Sequence, residues 1–159
     1  MFTIENVFEK RAEFEVACKD KMPNSAFKKL VSAKTKTEFL QVIFDNFYWI
    51  YEYVDKFGLR YDYVDDSYEG YARVEIGGKW GFIDSSFKEV CELKYSYVRK
   101  FNKGFARVKK GKKWGFVDTS FKEVCELKYD DVSIFNEGFA RVKKGGKWGK
   151  LYPDGREVF

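Results

Sequence analysis

The feature that most limits how this chain can fold is a repeat of 34 residues. Trp80, Trp114 and Trp148 recur at that spacing, each preceded by Lys and followed by Gly. Gly70, Gly104 and Gly138 keep the same period, as do Ala72, Ala106 and Ala140, Val74, Val108 and Val142, and Tyr61, Tyr95 and Tyr129. The stretch KWGFIDSSFKEVCELK from Lys79 to Lys94 differs from Lys113 to Lys128 only in Ile83 becoming Val117 and Ser85 becoming Thr119. A period of this length marks tandem structural units, each too small to bury its apolar face alone, so neighbouring copies must stack or pair. The units run over about 61–94, 95–128 and 129–159.

Within a unit the period is that of strands. Phe105-Ala106-Arg107-Val108 alternates in character, a Lys/Gly turn follows, and Trp114-Gly115-Phe116-Val117-Asp118 resumes the alternation, which predicts a β-hairpin. Glu123 to Tyr129 puts Cys125, Leu127 and Tyr129 on one face against Glu126 and Lys128, which predicts a third, half-buried strand. Residues 1–58 follow another period. Apolar positions from Phe39 to Val54 recur at i, i+3, i+4 and i+7, predicting a main helix over about 37–57, with Thr35 and Glu38 as a capping box and Gly58 as its stop. Two shorter helices are expected over Glu5 to Cys18 and Ser25 to Ala33, split by Pro23 and Asn24. The fold class expected is α+β: a helical segment (1–58) packed on an antiparallel sheet made by three repeats (59–159).

Composition narrows the function. Aromatic residues make up 20% of the 159-residue chain, enough to build a core although 35% of residues are charged. The net charge of +5 lies in the repeats: residues 1–58 hold nine bases and nine acids, and residues 59–159 hold 21 and 16. Nothing in MFTIENVFEKRAEFEVACKD reads as an export signal or membrane span. Cys18, Cys91 and Cys125 lack C-x-x-C spacing and there is no histidine, so reduced thiols and no metal site are expected, in a cytoplasmic protein. Cys91 and Cys125 read as small buried apolar residues. No P-loop, nucleophile elbow or dinucleotide fingerprint is present, and no enzyme activity or cofactor is expected.

The run Gly104-Phe105-Ala106-Arg107-Val108, the hairpin from Lys112 to Asp118 and Tyr129-Asp130-Asp131-Val132 resemble the WG-repeat family of bacterial proteins, over about residues 59–159. The resemblance implies a β-repeat architecture and an interaction role, and brings no catalytic residues with it. Three departures stand out. Phe87 and Phe121 occupy a turn where the family tends to have glycine, which only Pro153-Asp154-Gly155-Arg156 retains. The last copy carries Lys150 where the others have Phe82 and Phe116, and it stops short of a third strand. It reads as a capping repeat, as stacked arrays require.

Several candidate sites follow. Trp80, Trp114 and Trp148 are either a ladder of stacking platforms or the core of the repeats; the size of the side chain and the glycine beside it, over which the indole would lie, favour core. Arg73, Arg107 and Arg141 either read an anion or stack on the tryptophan of their own hairpin, the second being preferred. Lys109, Lys110, Lys112, Lys113, Lys143 and Lys144 concentrate charge at two hairpin turns, where they suit a nucleic-acid backbone or an acidic protein but equally protect a solvated edge. Asp84 and Asp118, and Glu89 and Glu123, repeat, and turn capping is the reading preferred over a carboxylate pair. The expectation is a bacterial or phage binding module, with a protein as the first partner, no membrane, and an unspecified oligomeric state. A nucleic-acid or nucleoprotein binder, including a phage-encoded inhibitor of a host defence complex, is the first alternative, and a carbohydrate or cell-wall binder the second.

Overall fold

The computed structural model describes residues 7–46, 61–65 and 67–159. Among these, helices α1 (Arg11–Cys18), α2 (Asn24–Ser32) and α3 (Lys36–Asp45) precede the strands. Pro23 is the N-cap of α2, its carbonyl accepting from the Phe27 amide at 2.9 Å. Thr35 caps α3 by accepting from the Glu38 amide at 3.1 Å, and the Glu38 carboxylate reaches back one residue further than a simple box, to the Lys34 amide at 2.7 Å. α3 ends at Asp45 with Asn46 as its C-cap, short of the expected end near residue 57; residues 47–60, including Gly58, lie outside the described residues. The first helix, expected from Glu5, begins at Arg11, with residues 7–10 in a turn and residues 1–6 outside the described residues. Arg11 on α1 donates to the carbonyls of Leu30, Val31 and Ala33, satisfying the open C-terminus of α2 with one side chain. The buried stripes Phe14 and Cys18, Ala26 and Leu30, and Phe39, Ile43 and Phe44 turn inwards, with Phe14 and Phe39 edge to face at 5.7 Å.

The repeats form three antiparallel sheets rather than a single one: β1 (Tyr63–Val64), β2 (Tyr71–Ile76) and β3 (Lys79–Asp84); β4 (Tyr97–Val98), β5 (Phe105–Lys110) and β6 (Lys113–Asp118); and β7 (Asp131–Val132), β8 (Ala140–Lys144), β9 (Lys147–Leu151) and β10 (Glu157–Val158). The class is α+β as expected, and each long hairpin is where the alternation placed it. The third strand is not. In the first two sheets the short strand beside the hairpin is the one that precedes it, and Glu123 to Tyr129 touches β6 only through isolated bridges at Val117–Glu123 and Trp114–Tyr129. The last repeat, expected to stop short of a third strand, does form one, because Glu157 and Val158 pair with Leu151 and Lys150 of β9. The amides of Val124 and Tyr129 reach the carbonyls of Phe116 and Trp114, so five residues on one side span two on the other. The surplus must bulge, and strict alternation is lost.

That bulge explains the glycine after each tryptophan. A Cβ on Gly81 would lie 3.0 Å from Leu93 Cδ1, and one on Gly115 would lie 2.8 Å from Leu127 Cγ. The glycine makes room for a leucine, not for the indole, which is a correction to the sequence reading. In the last repeat Phe159 takes the leucine's place, with its Cδ1 2.6 Å from a Cβ built on Gly149.

Strand register divides each sheet into two faces, because residues directly opposite point the same way. One face is small and aliphatic: Val64, Ala72, Val74 and Ile83 in the first sheet, Val98, Ala106, Val108 and Val117 in the second, Val132, Ala140, Val142 and Leu151 in the third. All are buried. The other face is aromatic and charged: Tyr71, Arg73, Trp80 and Phe82; Phe105, Arg107, Trp114 and Phe116; Phe139, Arg141, Trp148 and Lys150. The apolar clusters show the layering. The helices cover the aliphatic face of the first sheet, with Phe44 on Phe87 at 5.5 Å. The aromatic face of the first sheet packs on the aliphatic face of the second, and that of the second on the aliphatic face of the third. Each junction thus joins unlike faces, and the order is helices, sheet one, sheet two, sheet three.

Candidate binding face of the third repeat

At the two internal junctions the aromatic face works the same way. Tyr71 and Phe82 hold Phe101 of the next repeat at 5.0 Å each, and Phe105 and Phe116 hold Phe135 at 4.2 and 4.8 Å. Phe82 and Phe116 are each 1% exposed as a result. Arg73 donates to the Val98 carbonyl at 3.1 Å and Arg107 to that of Val132 at 3.5 Å, each arginine tying its sheet to the short strand of the next. The Glu69 carboxylate accepts from the amides of Lys103 and Gly104 in the following turn, at 2.7 and 3.0 Å.

In the third repeat the same face has no sheet on it. Phe139, Arg141, Trp148, Lys150 and Val158 line a shallow groove of about 330 Å³. Trp148 is 44% exposed, whereas Trp80 and Trp114 are half-buried, so none of the three is interior core. The interior aromatics of the repeats include Tyr95, Tyr129, Phe82, Phe101, Phe116 and Phe135. Trp80 and Trp114 instead belong to a row along the flank of the stack, Tyr63–Trp80–Tyr97–Trp114, with centroids 5.2, 5.2 and 6.2 Å apart. The row stops there because Asp131 stands where Tyr63 and Tyr97 stand in the earlier repeats. Cations crowd the open face: Arg141 over Trp148 at 4.8 Å, Lys143 over the same ring at 5.9 Å, Lys150 over Phe139 at 4.4 Å and Arg156 over Tyr152 at 4.2 Å.

The sequence candidates therefore scatter. Arg73 does lie over Trp80 at 5.7 Å and Arg141 over Trp148, but Lys109, at 5.2 Å, takes the corresponding place on Trp114. Arg107 differs because Arg99 occupies the position across the strand that Asp65 has beside Arg73. Asp65 hydrogen-bonds Arg73, whereas burial first and then the charge of Arg99 pull the Arg107 pKa down. Arg73 is held up by Asp65 against the opposing effect of burial. Lys143 joins the open face, while Lys110, Lys112, Lys113 and Lys144 sit exposed at the hairpin tips. Lys113 is paired with Asp130 at 2.5 Å, and Asp130 also accepts from the Gly145 amide. The tips thus carry less free charge than the count of lysines suggests.

The repeated acids are structural. Asp84 accepts from the amides of Ser86 and Lys88, and Asp118 from those of Ser120 and Lys122. Glu89 and Glu123 accept from Tyr61 and Tyr95, which open the same units, at 2.9 and 3.2 Å. Burial pushes the Cys18 thiol up to about 12 and raises Cys91 and Cys125, which keeps all three protonated and poorly nucleophilic. Among the described residues no group of three or more His, Cys, Asp or Glu side chains is placed to hold a metal ion, and no helix is long and apolar enough to cross a membrane. Phe139, Tyr152, Arg156 and Val158 were missing from the sequence candidates; Lys150 in the Phe82 and Phe116 column was the available signal that this face is not an internal junction.

A chain of similar sheets joined face to unlike face, with helices at one end and an open face at the other, defines a stacked β-repeat protein. The family model of the WG containing repeat matches residues 57–80, 80–114 and 114–148. The chain belongs to the WG-repeat family, as its sequence resemblance implied. No curated protein and no solved structure matches it.

Proposed function

We propose that this protein is a non-catalytic interaction module that binds another protein through the open face of its third repeat. The observation carrying this reading is that the face whose equivalents are covered at both internal junctions stands uncovered here with Trp148 at its centre and cations stacked around it. Ile134, Val158 and Phe159, all exposed, extend the apolar surface of the same repeat. Exposed aromatics and arginine gathered in one patch are the composition of a protein-binding hot spot. The cytoplasm is the compartment this reading assumes.

The test is affinity capture on the full-length chain with photo-crosslinking from position 158, which lines the same groove. Trp148→Ala and Arg141→Ser should abolish a crosslinked protein band, while Lys29→Ala and Gln41→Ala, on the helical side, should leave it intact. Loss of the band on nuclease treatment would transfer the reading to a nucleoprotein. Capture that survives all substitutions on the third repeat would overturn it.

A further inference from the structure

The open face carries the unpaired half of a repeat junction, and the internal junctions show what its complement looks like. At each of them the arginine on the aromatic face donates to the carbonyl of a short β-strand, at Val98 or Val132, and the aromatic pair receives one ring from the same segment, Phe101 or Phe135. The covering surface is strand backbone with a small aliphatic face. In the third repeat, Arg141 stands ready for the same carbonyl and makes no side-chain hydrogen bond among the described residues. Glu137, in the turn column of Glu69, likewise holds no amide in the way that Glu69 holds those of Lys103 and Gly104. One substitution changes the demand. Lys150, in the column of Phe82 and Phe116, puts an ammonium over Phe139, where an internal junction seats a ring.

Resting on the reading of this face as a binding surface, we propose that its occupant is a β-hairpin of another protein, presenting alternating small aliphatic residues with a carboxylate aimed at Lys150. Charge decides against other occupants. Arg141, Lys143 and Lys150 outweigh Asp131 on this face, so two copies meeting face to face would bring like charges together. A second copy cannot supply the aliphatic face either, because its first sheet is covered by helices and its second and third by the preceding repeats. A strand edge satisfies the arginine through its backbone, a small aliphatic face fits against Trp148 and Val158, and the carboxylate pairs with Lys150.

The experiment titrates the full-length chain with a backbone-cyclised hairpin peptide. One of its faces alternates Val and Ala, with a Glu in the register opposite Lys150. Parallel titrations use the same peptide with Lys for that Glu, poly-glutamate, and single-stranded oligonucleotide. Binding is read from Trp148 fluorescence, isolated by subtracting Trp148→Phe. The expected result is saturable binding of the Glu hairpin, weakened at least tenfold by Arg141→Ser and by replacing its Glu with Lys, and restored to the Lys hairpin by Lys150→Glu. Equal binding of poly-glutamate or the oligonucleotide would overturn the hairpin while leaving the face a binding surface for polyanions. No response to any probe, together with crosslinking from position 158 that captures nothing, would remove both readings.

Discussion

Phe87 and Phe121 have left-handed backbone, with φ of 60° and 59°, at the place in the repeat where Gly155 has φ 85°. A bulky L-residue there is strained by roughly 1 kcal/mol. Packing repays it: Phe87 meets Phe44 of α3, and Phe121 meets Tyr71, Phe82 and Phe101 at 4.9, 5.9 and 5.7 Å. Gly155 cannot follow suit, because a Cβ there would lie 2.9 Å from the Val124 carbonyl. Phe121→Ala loses the ring and keeps the strain, whereas Phe121→Gly loses the ring and relieves the strain. Both variants should be destabilised, with the glycine variant the more stable of the two by about 1 kcal/mol in urea unfolding. The reverse order would show that the left-handed turn stores no strain. The sequence revealed the Phe-for-Gly exchange but not its reason, since the partners of each ring are contributed by another element.

A second residue-scale consequence concerns Glu157. Burial alone raises its pKa, yet hydrogen bonds from Lys128, at 2.5 Å, and from Tyr129 outweigh it and hold the carboxyl below its ordinary 4.5. A depressed folded-state pKa contributes stability that is fully present above 4.5 and is lost as pH falls through the folded value. The melting temperature of the parent should therefore exceed that of Glu157→Gln at neutral pH, and the gap should close below pH 4.5. A constant gap across that range would mean that the ion pair does not anchor β10.

Among elements, the segment joining one repeat to the next was the least legible in the sequence. Each long hairpin follows from the alternation of Ala72, Val74 and their copies, and α3 from its capping Thr35. The segment Glu123 to Tyr129 alternates equally well, but its extra residues bulge so that Leu127 can lie on Gly115. Alternation is a local signal, and the number of residues facing the neighbouring strand is not. Gly115→Ala should be destabilising by about 1–3 kcal/mol, since a Cβ would meet Leu127 Cγ at 2.8 Å and its Cα at 3.3 Å. Adding Leu127→Ala to that variant should cost less than Leu127→Ala alone, which a double-mutant cycle measures directly. Additive losses would place the strain elsewhere.

For the whole molecule, the joining of unlike faces makes stability a sum of nearest-neighbour junctions. The period of the sequence disclosed that units stack; it did not disclose which face meets which, because register, not composition, assigns Phe82 and Val74 to opposite sides. The open face was foreshadowed by Lys150 and Asp131 alone. The second sheet is covered on both faces, the third on one. Backbone amides of β5 and β6 should therefore exchange more slowly with deuterium than those of β8 and β9. Phe116→Ala, which empties the junction between the second and third sheets, should speed exchange in β8 and β9 while leaving β2 and β3, two layers away and braced by the helices, unchanged. If β2 and β3 accelerate equally, the stack opens as one unit and the helices at one end support the open face at the other. If they do not, the third repeat loosens independently of the helical end.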